Sequence, residues 1–126
     1  MERTRVLVDT SIWIDHINGG VPRLVDLLKQ RRTLLHPMIV GEIALGSIGK
    51  RSRVLEDLCA LPQAPVVGHA EVMAMIEWLK LSSTGIGYVD AHLLASVRQI
   101  EHATIWSDAK RLHAQAERLD VAYKPA

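Results

Sequence analysis

Three observations predict an α/β fold built in three layers, with helices on both faces of a central parallel sheet of about five strands. Short apolar segments alternate with longer segments of helical spacing along nearly the whole chain, the pattern of strands joined by helical crossovers. The first apolar run, Arg5-Val6-Leu7-Val8, stops abruptly on Asp9 and two hydroxyl residues, as a buried strand does where it gives way to a helix. No linker, internal repeat or low-complexity stretch interrupts the 126 residues, so one domain spanning residues 1–126 is expected.

Each element has its own signal. After the strand at residues 5–8, Ser11 is a candidate N-cap for a helix whose apolar positions are Ile12, Trp13, Ile14 and Ile17. Asn18-Gly19-Gly20 is a turn cluster, and Pro22 suits the first turn of a second helix carrying Leu24, Val25, Leu27 and Leu28. Thr33-Leu34-Leu35-His36 reads as a second strand stopped by Pro37, with a helix over residues 38–45 behind it. Lys50-Arg51-Ser52-Arg53 opens a helix that Pro62 ends, and Ala64-Pro65-Val66-Val67 has the composition of a weak edge strand. Helical spacing returns over residues 69–81 and 88–100, separated by the loop 82–87. Thr104-Ile105-Trp106-Ser107 is a further strand, residues 109–119 a last long helix, and Val121-Ala122-Tyr123 a final short strand.

Composition limits the function classes. With 48% hydrophobic and 23% charged residues the chain is globular, and no apolar run reaches membrane-spanning length. The N-terminal residues lack the apolar core and cleavage site of a secretory signal, so a soluble, cytoplasmic protein is expected. A net charge of +1 provides no global attraction to nucleic acid, which leaves local patches to supply it. Two basic clusters exist: Lys29, Arg31 and Arg32, and Lys50, Arg51 and Arg53. Each is a candidate for holding a phosphate backbone and equally a solvated helix end. The single cysteine, Cys59, cannot form an internal disulfide, and its apolar neighbours predict a small buried hydrophobe. Trp13, Trp78 and Trp106 are expected in the core or an interface rather than as base-stacking platforms.

Four acids stand where acids are costly. Asp9 follows a buried strand, at the sheet edge where open parallel sheets gather ligands and chemistry. Asp90 lies in line with Leu93, Leu94 and Val97 on its helix, so its carboxylate needs a partner, a water-filled cleft or a metal. A helix-start acid complementing the macrodipole is the plainer reading, and the apolar alignment favours the functional one. Glu42 interrupts the apolar sequence of residues 38–45, compatible with a buried glutamate paired to an arginine or with a functional group. Asp108 follows the strand at 104–107, where Ser107 or Asp108 itself would serve as a helix N-cap. Gathered at one edge, two ionised carboxylates about 5 Å apart repel by roughly 3 kcal/mol at an effective dielectric near 20, and a divalent cation offsets that repulsion. An all-oxygen donor set suits Mg²⁺ or Mn²⁺. The six histidines include no His-x-x-x-His pair, and one cysteine makes no cysteine-rich zinc site. Such a cluster activates water and neutralises phosphoryl charge, the requirements of phosphodiester hydrolysis.

These residues resemble a known family, the PIN-domain ribonucleases, and within it the VapC toxins of prokaryotic toxin–antitoxin pairs. The match rests on Val8-Asp9-Thr10-Ser11-Ile12-Trp13-Ile14, Glu42, Gly87-Tyr88-Val89-Asp90-Ala91-His92-Leu93-Leu94-Ala95 and Trp106-Ser107-Asp108-Ala109-Lys110-Arg111-Leu112, in the family's order. One departure is Asp120, where a glycine turn is common in the family. The resemblance implies a five-stranded PIN-like sheet and Mg²⁺- or Mn²⁺-dependent RNA cleavage, with Asp9, Glu42, Asp90 and Asp108 catalytic. Asp9, Asp90 and Asp108 would ligate the metal, Glu42 would orient or deprotonate the attacking water, and the Ser11 hydroxyl would lie near the ion. Apart from the resemblance, the local charge of Lys50, Arg51 and Arg53 makes them the candidate contacts to an RNA backbone. The resemblance further implies a homodimer and a cognate VapB-like antitoxin that blocks the acidic site.

Other classes fit less well. An aspartyl-phosphate phosphatase needs a second Asp two residues after the first, where Ser11 stands, and a receiver domain needs an acidic pair and a late strand-end lysine that are not present. A catalytically inactive PIN-like RNA-binding protein is the non-enzyme alternative, against which the presence of all four acids argues.

Overall fold

The computed structural model describes residues 3–125, so the outermost ends of the predicted 1–126 domain lie outside the described residues. Its centre is β1 (Arg5–Val8), whose Val6, Leu7 and Val8 are completely buried because the strand has a parallel neighbour on either side. On one side it pairs with β2 (Thr33–Leu34), Val6 opposite Thr33 and Leu7 opposite Leu34. On the other it pairs with β3 (Ala103–Trp106), in a register running from Arg5 opposite Ala103 to Val8 opposite Trp106. The sheet order is therefore β2-β1-β3, with the first strand in the middle.

Seven helices connect and flank these strands among the described residues: α1 (Thr10–Gly19), α2 (Pro22–Lys29), α3 (Pro37–Ala44), α4 (Arg51–Ala60), α5 (His69–Trp78), α6 (Tyr88–Arg98) and α7 (Lys110–Arg118). α1 packs on α3, α3 on α4, α5 on α6, and α6 on β3. The most enclosed is α6, in which every residue from Ala91 to Val97 is buried, as befits a helix covered on nearly all sides.

The structure corrects the sequence reading at four places. The sheet has three strands rather than five. At each edge, where the fourth and fifth were expected, a single parallel bridge remains: Leu35 with Gln63, and Ile105 with Ala122. Pro62 and Pro65 remove backbone donors around the first, and the second rests on two bonds, Ile105 N–H to Val121 O and Tyr123 N–H to Ile105 O. The N-cap of α1 is Asp9, not Ser11; the helix starts directly after β1, and Ser11 falls inside its first turn. Cys59 is exposed, because α4 turns only Leu58 fully inward and its neighbour in sequence faces out. Trp13 is buried and Trp106 is half-buried against Tyr123, but Trp78 is 73% exposed, with the Arg98 guanidinium over its ring, 5.3 Å from the centroid.

Two histidines are sealed inside. His36 is fully buried and caps α3, its Nδ1 accepting from Met38 N–H. His92 is buried on α6, and Nε2 of His36 and both ring nitrogens of His92 have no hydrogen-bond partner. Burial lowers the pKa of both, His92 acting in addition on His36 and His69 on His92, so both rings are held neutral.

Candidate active site

The sheet topology brings acids from distant parts of the chain to one edge. Asp9 ends β1, its own N–H continuing the ladder to Trp106 O at 2.9 Å. The half-buried carboxylate is bonded on both oxygens: Oδ1 accepts from Thr10 N–H at 2.8 Å, and Oδ2 from the Ser107 hydroxyl at 2.7 Å. Ser107 is itself fixed, its Oγ accepting from Ala109 N–H at 3.0 Å. Because Val8 lies opposite Trp106, the residue after β3 falls beside the residue after β1. Parallel pairing thus sets the Ser107–Asp9 contact.

Glu42 reaches the same edge on α3. It is exposed, and Oε1 accepts from the Thr10 hydroxyl at 2.7 Å, so Thr10 ties Glu42 to the residue adjoining Asp9. Glu42 is thus not buried, and it has no arginine partner among the described residues.

Asp90 comes from the first turn of α6. Its Oδ2 accepts from Gly87 N–H at 3.0 Å, which makes it a helix-start acid, yet it is half-buried. Its pKa is raised, first by burial and then by the charges of Asp9 and Glu42, against the lowering effect of the Gly87 bond. The three acids therefore share one electrostatic field. Such a cluster of repelling carboxylates has the charge and the oxygen donors that suit a hard divalent cation.

Asp108 is placed differently. It is exposed beyond β3, beside a shallow cavity lined by Trp106, Ser107, Lys110, His113 and Tyr123, and it is not among the charges acting on Asp90. Ser11 is exposed on α1. Lys50, Arg51 and Arg53 stand exposed at the start of α4, beyond the helix that bears Glu42. Lys50 is left-handed at φ 51°, Arg51 Nη1 donates to Gly46 O at 3.2 Å, and Arg53 pairs with Asp57 at 3.5 Å. In the other basic cluster Arg32 is used internally, donating to Thr4 O and to Gln30.

Among the described residues no three His, Cys, Asp or Glu side chains converge closely enough to bind an ion by themselves. That spacing still fits a hydrated Mg²⁺, which dehydrates reluctantly and takes only one or two carboxylates directly.

Sequence reasoning missed two contributors. Thr10 and Ser107 are the hydroxyls that reach the acids, and the signal for Ser107 exists only once β1 and β3 are known to be neighbours. Arg111 lies across the loop before α6: a Cβ on Gly85, whose φ is +87°, would stand 2.6 Å from Arg111 Cδ.

No family model matches the chain. Direct comparison does find relatives: the chain is 44% identical over 117 residues, 93% of its own length and 94% of theirs, to Ribonuclease VapC32 of Mycobacterium tuberculosis, from strains CDC 1551 and H37Rv.

Proposed function

The chain belongs to the VapC ribonucleases, and from that premise we propose that it is the toxin of a toxin–antitoxin pair, hydrolysing RNA phosphodiester bonds at the Asp9–Glu42–Asp90 edge. The observation that carries this reading is the shared field of three carboxylates from β1, α3 and α6, expressed in the raised pKa of Asp90. A structural acid gains nothing from two negative neighbours.

Asp9 and Asp90 would hold the Mg²⁺ or Mn²⁺, directly or through water, with Asp108 completing the site. Bound there, the ion supplies charge neutralisation at the phosphoryl group and a water of lowered pKa. Thr10 N–H and the Ser107 hydroxyl hold the Asp9 carboxylate in one orientation. Glu42, steered by the Thr10 hydroxyl, orients or deprotonates the attacking water. The Ser11 hydroxyl hydrogen-bonds at the edge of the site, and Lys50, Arg51 and Arg53 contact the RNA backbone. An antitoxin of the VapB type blocks the acidic edge, the chain pairs as a homodimer, and it works in the cytoplasm. No helix among the described residues is long and apolar enough to cross a membrane.

Purified protein incubated with RNA tests the reading. Cleavage with Mg²⁺ or Mn²⁺ that stops on adding EDTA is the expected result. Cleavage indifferent to EDTA would remove the metal, and no cleavage of any RNA under either condition would leave an RNA-binding protein with an inactive site.

A further inference from the structure

Tyr88 is an exposed aromatic residue that is nevertheless fixed. It is 44% exposed, yet its hydroxyl is hydrogen-bonded to Nδ1 of His69 at the start of α5. Its ring stands edge-to-face on the buried His92, centroids 4.5 Å apart. A tyrosine has only two side-chain torsions to restrain, and both ends of this one are held. The ring lines a cavity of about 250 Å³ with Ile86, Gly87, Ser82 and Ser83 around it and Ile76 and Ala91 beneath. The Arg111 side chain lies against Gly85 of the same loop, with no carboxylate partner among the described residues. An exposed, immobilised aromatic ring at the mouth of a small cavity is the kind of surface on which a nucleobase stacks.

Position on α6 decides which nucleotide is involved. Tyr88 and Asp90 lie two residues apart on a helix, so their side chains leave it on different sides. Asp90 turns toward the acid edge and Tyr88 toward α5. A helix with its side chains is about 10–12 Å across, a span that separates the scissile phosphate from a neighbouring base and not from its own.

We propose that Tyr88, with the loop 82–87, forms a nucleobase subsite beside the acidic edge, stacking a base that flanks the scissile phosphate of a single-stranded or looped RNA. This rests on the ribonuclease reading and adds to it a residue that touches the substrate, since an unstacked flanking base can reach the Tyr88 ring and a base inside a duplex cannot.

The test uses a short single-stranded oligoribonucleotide carrying 2-aminopurine next to the cleavage position, a base whose fluorescence is quenched on stacking. Binding is read in the Asp9→Asn background so that cleavage does not interfere. The expected result is quenching by the parent and by Tyr88→Phe and Tyr88→Trp. With Tyr88→Ala, quenching should be lost and affinity should fall about ten- to a hundredfold. In the cleaving enzyme, Tyr88→Ala should raise KM by that factor with little change in kcat. Replacing the flanking base by an abasic residue should weaken the parent enzyme's KM and leave Tyr88→Ala unaffected. Equal quenching by Tyr88→Ala, or an abasic penalty of the same size in both proteins, would overturn the subsite. If Tyr88→Ala does not fold, loss of quenching in the folded Tyr88→Phe and Tyr88→Trp variants would overturn it instead. Failure of the ribonuclease reading is distinguishable, because the parent would then stack the base and cut no RNA.

Discussion

Asp9 and Asp90 are the same side chain in two opposed settings. Asp9 sits at the end of a strand that packs on both sides, caps a helix, and has a donor on each oxygen. Asp90 opens the most enclosed helix of the fold, has one donor, and faces two like charges. The fold stabilises Asp9 as it would any good cap, and it carries Asp90 at a cost. On the proposed reading both acids serve the site, Asp9 positioned by the fold itself and Asp90 relieved of its repulsion only by the cation that the site would hold.

The largest expected effect tests that contrast directly. Asp9→Asn and Asp90→Asn should each reduce RNA cleavage by about a thousandfold or more, because both remove charge where the ion and the phosphoryl group need it. Their thermal stabilities should move in opposite directions. Asparagine still caps α1, but its amide cannot accept from both Thr10 N–H and Ser107, so Asp9→Asn should lower stability by about 1 kcal/mol. Asparagine at 90 keeps an acceptor for Gly87 N–H and loses the burial and repulsion penalties, so Asp90→Asn should raise the melting temperature. Calorimetry of the two variants without divalent metal gives the signs. Two shifts in the same direction would break the comparison.

A second effect concerns pH. Asp90 has a folded pKa above its unfolded value, so its favourable contribution is present only below the unfolded value near 3.8 and is lost as pH rises through the folded one. His36 and His92 have folded pKa values below 6.5, and their contribution is present above 6.5 and lost as pH falls toward the folded values. The groups acting on His92, Tyr88 and His69, and those acting on His36, the Met38 N–H and His92, include no anion that would stabilise an imidazolium. Stability should therefore drop as pH falls below about 6.5, at up to about 1.4 kcal/mol per pH unit for each histidine that must charge. In Asp90→Asn this histidine-driven loss should persist unchanged. Melting curves between pH 7.5 and 5 follow it, and a profile flat across that range would mean that neither ring is kept neutral by the fold.

How far the sequence led depended on whether a residue's environment was local. Asp9 was legible because an apolar run ending on a carboxylate is a local pattern, and Asp90 because its apolar neighbours lie on its own helix. Glu42 was legible as an acid and misread in its surroundings. Helical spacing over residues 38–45 suggested a buried stripe, but Leu45 is 91% exposed and the helix turns chiefly Ile39 and Ile43 inward. Cys59 was misread for the same reason, since apolar neighbours in sequence do not fix which face a helix buries. The two edge strands shrank to single bridges because a strand is defined by its neighbour as much as by its composition. Thr10 and Ser107 were out of reach altogether: their partners lie 32 and 98 residues away, joined only by the packing of α1 on α3 and of β1 beside β3.

Those two hydroxyls support the acids in different surroundings, and removing each sharpens the comparison at its small end. Ser107 is buried and joins Asp9 to the start of the last connection, so Ser107→Ala leaves an oxygen of Asp9 short of a donor inside the fold. A loss of about 1–1.5 kcal/mol of stability is expected. Cleavage should also fall roughly tenfold, because Asp9 can then rotate away from its productive orientation. Thr10→Val removes the donor to Glu42, which is exposed and regains water in its place. Its stability should change by no more than about 0.5 kcal/mol. Any fall in kcat for Thr10→Val then reports the orientation of Glu42 alone, free of a folding defect. If kcat is unchanged while Glu42→Gln is inactive, the glutamate acts without the threonine's help, and its hydrogen bond belongs to the helix packing instead.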